Sequence, residues 1–206
     1  MAAQEPTAGV DEGAAGAPEG SLAQRRLLEA AVGYVVEHGL GGLRLRDLAA
    51  AIGTSHRMLI YHFGSKEGLV VAIVRAVEAE QRAVLSGLAT RPGMTTAELA
   101  RLMWRRVTDP QLRSRERLFF EAYGQALQGR PGTAGLLDGI VEDWVEPMAA
   151  EAIAGGAAPG EARADARLAV AVCRGLLLDL LATGDERAVD QAFERYLTRL
   201  GVASPG

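Results

Sequence analysis

Apolar residues recur at three- and four-residue intervals along most of the chain, and glycine or proline interrupts them at regular distances. That spacing buries one face of a helix, and the interruptions mark where each helix stops. The pattern predicts a first helix from Ser21 to about His38, with Leu28, Ala31, Val32 and Val35 on one stripe. A second covers about Leu45 to Ile52, a third about His56 to His62, and a fourth, capped by Ser65, runs to about Ala89 ahead of Arg91-Pro92-Gly93. Thr95 to Glu98 reads as a capping box that opens a fifth helix through about Val107. Asp109-Pro110 opens a segment reaching Gln128, because proline is suited to a first helical position. A further helix is expected from about Thr133 to Ala154, kinked or split at Pro147, and two more, about Glu161 to Thr183 and Asp185 to Leu200, close the chain. No stretch alternates apolar and polar residues with β-branched enrichment, so the fold class is all-α.

Leu45, Leu48, Ala49 and Ile52 form the buried side of the second helix, and Gly53 follows where the chain must bend. Ser55 offers a hydroxyl to the unpaired N–H groups of the third helix. Ala49, four residues before Gly53, is small enough for the two helices to cross closely. This is a helix-turn-helix, which sets its second helix into a DNA major groove. Tyr61 to Leu69 then reads YHFGSKEGL.

The turn glycine, the cap serine and the HFxSKExL spacing together resemble the DNA-binding domain of the tetracycline-repressor (TetR) family of bacterial transcription regulators, over roughly Ser21 to Val74. The resemblance implies an N-terminal three-helix helix-turn-helix head followed by a larger helical ligand-binding and dimerisation domain. It divides the chain into a disordered tail (1–20), a DNA-binding domain (21–68) and a ligand-binding and dimerisation domain (69–206). Two positions depart from the family pattern. Ile60 stands where a tyrosine is common, leaving that phosphate contact missing or passed to Tyr61. Arg44 stands where threonine often caps the second helix.

Composition sharpens where DNA would be met. The formal net charge is −4, which argues against indiscriminate nucleic-acid binding. Residues 21 to 68 nevertheless carry six basic and four acidic side chains, while the first twenty carry four acids and no base. Lys66, inside the motif, is the single lysine among 22 basic residues. Ser55, His56 and Arg57 stand at the leading edge of the third helix, where Arg57 can donate two parallel bonds to guanine. Thr54 in the turn joins this DNA-facing set. Tyr61 and His62 can donate to phosphates, Lys66 sits in the first turn of the fourth helix where phosphate is favoured, and Arg44 and Arg46 are further phosphate candidates. Leu59 and Phe63, four apart, hold the third helix on its core.

One head makes few base contacts, so specificity calls for two heads held roughly 34–36 Å apart on a palindromic operator in double-stranded DNA. The penultimate helix is apolar nearly all round between Leu168 and Ala182 and needs cover on most faces. The resemblance implies a homodimer joined through a four-helix bundle of such closing helices. It also implies a pocket for an unidentified small-molecule effector in the middle helices, where Met103, Trp104, Phe120, Tyr123, Trp144 and Met148 are candidate lining residues, with Phe119 beside them. Each of these serves equally as plain core. Arg105, Glu121 and Asp179 are candidate polar anchors. Arg101, Arg105, Arg106, Arg113, Arg115 and Arg117 form a second basic run, read as a solvated helix face with Glu98 and Glu116 as nearby partners.

Other classes fare worse. His38, His56 and His62 lack metal-site spacing, no phosphate loop or nucleophile elbow occurs, and the carboxylates form no recognisable acid–base pair, so neither an enzyme nor a cofactor is expected. Cys173 is alone, and no run reaches membrane-span length, which suits a cytoplasmic protein without membrane contact. The expected function is a dimeric repressor that a small molecule releases from its operator. A DNA-binding regulator that answers to a protein partner, or to no ligand, is the alternative; an all-helical enzyme is a remote one.

Overall fold

The computed structural model describes residues 19–39, 42–89 and 93–201. Among these residues there are nine α-helices and no strands: α1 (Glu19–His38), α2 (Leu45–Ala51), α3 (His56–Phe63), α4 (Lys66–Ala89), α5 (Thr96–Val107), α6 (Arg113–Leu127), α7 (Glu142–Ala154), α8 (Pro159–Thr183) and α9 (Glu186–Arg199). Single 3-10 turns at Pro110–Leu112 and Ala134–Leu136 precede α6 and α7. The expected tail, up to residue 18, and the Arg91-Pro92 break lie outside the described residues.

Side-chain caps open four of the described α-helices. Ser55 Oγ accepts from the Met58 N–H at 3.2 Å and Ser65 Oγ from the Gly68 N–H at 2.9 Å, opening α3 and α4. Thr95 and Glu98 bond reciprocally as a complete capping box, and Asp185 accepts from the Ala188 N–H at 3.0 Å. Gly53 has φ +70°, a left-handed turn that glycine adopts without penalty. There the Thr54 N–H reaches the Ala49 carbonyl at 2.8 Å and the Gly53 N–H reaches Ala50 at 3.3 Å, ending α2 in a Schellman motif. As expected of arginine, Arg44 provides no side-chain cap to α2.

One expected helix is shorter than its pattern. The stretch from Thr133 to Ala154 becomes a 3-10 turn, a left-handed bend at Gly139 (φ +72°) and then α7 from Glu142. The buried Thr133 hydroxyl donates to the Arg130 carbonyl at 2.7 Å, satisfying itself in a turn instead of capping a helix. Pro147 lies inside α7 and does not split it; the carbonyl it deprives of a partner, four residues back, is in the first turn. The chain α1 to α3 also does not end a core. Ala31, Val35, Leu48, Leu59, Leu69, Ile73 and Val74 share one buried cluster with Leu118, Phe119 and Ala122 of α6 and with Leu136 and Ile140. Arg75 of α4 donates to the Gly135 carbonyl and, at 3.0 Å, to that of Asp138. α4 is therefore packed into both halves of the molecule.

Candidate nucleic-acid interface and buried cavity

α3 has two sides. Leu59 is buried, and Ile60 and Phe63 pack against the same core, which fixes the helix on α1, α2 and α4. His56, Arg57, Met58 and Tyr61 are exposed on the other side, Tyr61 to 77%. Ser55, Arg44, Arg46 and Lys66 are exposed too, and Thr54 is half-buried in the turn. His62 is different. It is half-buried, its carbonyl accepts from the Gln24 amide at 2.8 Å, and its ring Nε2 is shielded without a partner. Seven of the nine candidate DNA residues thus lie in solvent, and none of them holds the core.

Between the middle helices lies a partly open cavity of about 90 Å³. Met103, Trp104, Phe120, Trp144 and Met148 line it, together with Phe119. Tyr123 does not; it stacks behind Phe119 at 5.4 Å between ring centres. The polar lining comes from Glu78 and Gln81 of α4, Glu116 of α6 and Arg174 of α8. Arg105, Glu121 and Asp179 are exposed and stand apart from it. A signal for the true set exists in the sequence. Glu78 and Gln81 continue the buried stripe of Val70, Ile73, Val74 and Val77, and Glu116 falls between Leu112 and Phe119 on one face of α6. Polar residues at core positions of an apolar stripe ask for an explanation.

These buried polar groups find one another. Glu78 Oε2 accepts from Trp144 Nε1 at 2.7 Å and lies 3.8 Å from Arg174 Nη2. Arg174 also donates to the Ile140 carbonyl at 2.7 Å and sits 5.0 Å above the Phe119 ring, a cation–π distance. Gln81 Nε2 donates to Glu116 Oε1 at 2.8 Å. Burial pushes the Glu78 carboxyl above its ordinary range, although the Trp144 bond and Arg174 pull the other way. Burial, helped by the charge of Glu78, pushes Glu116 up to about 7. Cys173, also on the wall, is pushed up to about 11 by burial and stays a neutral thiol.

Three arginines of the second run are paired across helices. Arg101 grips Glu194 of α9 with two bonds of 2.8 Å, Arg113 reaches Glu186, and Arg115 lies 3.3 Å from Glu80 of α4. The acids are not Glu98 and Glu116: tertiary neighbours outcompete those nearby in sequence. Among the described residues, no group of three His, Cys, Asp or Glu side chains could hold a metal ion, and no helix is long and apolar enough to cross a membrane.

The model of bacterial regulatory proteins of the tetR family matches residues 27–73, the helix-turn-helix with its flanking helices. Over these residues the chain is similar to the TetR family. It is 30% identical over 112 residues to the HTH-type transcriptional regulatory protein RaaS of Mycobacterium tuberculosis, covering 42% of this chain and 52% of RaaS. It is 36% identical over 63 residues to the HTH-type transcriptional repressor AcnR of Corynebacterium glutamicum, covering 31% of this chain and 34% of AcnR. The chain therefore spans about half and a third of the lengths of these two TetR-type relatives. The fold is similar to that of the multidrug binding protein EbrR complexed with imidazole, at TM-score 0.61 and 29% identity over 90% of this chain and 92% of EbrR. EbrR complexed with proflavin matches at TM-score 0.60 and 27% identity over 86% and 98%.

Proposed function

We propose that this chain is a sequence-specific, cytoplasmic DNA-binding transcriptional regulator of the TetR family. It acts as a dimeric repressor that a small molecule in the cavity releases from a palindromic operator. The observation that carries this reading is α3 itself: a helix anchored by Leu59, capped by Ser55, with His56 and Arg57 exposed at its leading end. Arg57 reads a base edge there, while Lys66, Arg44, Arg46 and Tyr61 grip phosphates and set the register. The organisation into a DNA-binding part over 21–68 and a ligand-binding and dimerisation part over 69–206 follows the same division of labour.

Dimerisation is supported by α8. Ala164, Leu168, Ala171, Gly175, Leu178 and Ala182 are all exposed and alternate four and three residues apart, with Leu168 at 46% and Leu178 at 53% exposure. That is the seam one helix offers another. Release by a ligand is supported by the position of α4, which carries Lys66 at one end and the cavity residues Glu78 and Gln81 further along. The known ligands of EbrR, imidazole and proflavin, favour a small molecule over a protein partner. Selection of bound sequences from a random DNA pool tests the reading: a palindromic consensus is expected, and recovery of no preferred sequence overturns it.

A further inference from the structure

The charges lining the cavity do not balance. Glu78 and Glu116 are 7% and 5% exposed, and against these two carboxylates stands one guanidinium, Arg174. Arg174 sides with Glu78, whose Oε2 it approaches to 3.8 Å and which Trp144 also holds. Arg115, beside Glu116 in α6, turns to Glu80 at 3.3 Å, and Arg82 of α4 turns to Asp143 at 3.3 Å. Glu116 is met directly by the uncharged amide of Gln81, and the charges of Arg115 and Arg174 only partly offset the cost of burying it. A buried carboxylate without a counter-charge is costly, so either a proton or a cation must accompany it. The surrounding wall is aromatic, built of Trp104, Phe119, Phe120 and Trp144, with Arg174 already over the Phe119 ring, and Met103 and Met148 yield to irregular shapes.

Building on the effector reading above, we propose that the cavity selects a small lipophilic organic cation, with Glu116 as its counter-charge. The empty site holds Glu116 partly protonated near neutrality, because burial and the neighbouring Glu78 oppose its ionisation. When the cation enters, the Glu116 carboxyl releases its proton to solvent and the carboxylate pairs with the ligand. The net charge of the site is unchanged by the exchange. No histidine lines the cavity, the Cys173 thiol stays protonated over this range, and Trp144 and Arg174 hold Glu78 as the carboxylate, so Glu116 carries the pH response.

Calorimetric titration of the full chain with phenyltrimethylammonium, its neutral isostere tert-butylbenzene and the anion benzenesulfonate tests this without DNA. The cation should bind at least tenfold tighter than the isostere near pH 8, and should weaken about tenfold between pH 8 and pH 6. E116Q, checked for helical content by circular dichroism, should remove both effects and keep tert-butylbenzene binding. The wild-type comparison stands whether or not the variant folds. Equal affinities, tightest binding of benzenesulfonate, no cation binding or a pH-independent cation affinity overturns the proposal. Cation binding that leaves the operator occupied would instead sink the effector reading and leave the ligand class intact.

Discussion

The start and the middle of α4 treat charge in opposite ways. Lys66 at its start, like Arg57 and His56 on the adjoining α3, stands in solvent. Glu78 and Gln81, about three and four turns further along, are buried and tied to Trp144 and Glu116. Exposed charge costs folding almost nothing and contributes little to stability. Buried charge costs stability even when partly satisfied. Side chains at the start are thus dispensable for the fold and available to a partner, whereas those in the middle persist against the interest of stability. The contrast separates residues whose loss would change binding from residues whose loss would change the protein itself.

The largest expected effect breaks the proposed dimer. Leu178→Asp puts a charge in the middle of the α8 seam and should yield a monomer by light scattering. Operator affinity should fall on the order of a hundredfold in gel shifts, since two tethered heads bind far better than one. A dimeric variant with full affinity would remove α8 from the interface. Next comes a contrast inside α3. Leu59→Ala should cost about 2–5 kcal/mol in urea denaturation, because Leu59 is buried in the shared core.

Glu116→Gln tests the buried side of the contrast. The native carboxyl is raised from its ordinary 4.5 to about 7, so the unfolded chain gives up this proton at lower pH than the native one. Stability contributed by the neutral form is complete below about 4.5 and is lost as pH rises through about 7. The glutamine variant should lack that loss and be more stable above pH 7 by on the order of 2–3 kcal/mol. A wild-type melting temperature flat across this window would contradict it.

Arg57→Ala should leave stability within about 0.5 kcal/mol. It should nonetheless relax preference at one base of each half-site by about 1–3 kcal/mol, read by competition with single-base operator variants. Lys66→Ala is the mildest. It should weaken all DNA alike and lower the slope of log affinity against log salt by about one. An Arg57 variant that kept full discrimination would move base reading away from the start of α3.

Much of this was legible before any coordinates, and the reason differs by element. Ser55, Ser65 and Thr95 with Glu98 cap the helices they were expected to cap, and Asp185 caps α9. The helix from Thr133 failed because the period of apolar residues carries no weight against Gly139 in a left-handed bend. Tyr123 has the right chemistry for a pocket but stacks behind Phe119, one layer removed.

The sequence by itself determined what depends on residues a few positions apart: helix starts and stops, the bend at Gly53, the exposed and buried sides of α3, and with them the likeness of residues 27–73 to the tetR family. Capping bonds and helix faces close within one or two turns, so local order suffices to specify them. Only the tertiary structure decided that Glu78, Gln81, Glu116 and Arg174, and not Arg105, Glu121 or Asp179, share the cavity. It also decided that Arg101, Arg113 and Arg115 take acids from α9 and α4. Helical periodicity tells which residues share a face, but what that face meets is set by how α4, α6 and α8 pack, where burial makes each charge answer to neighbours dozens of residues away.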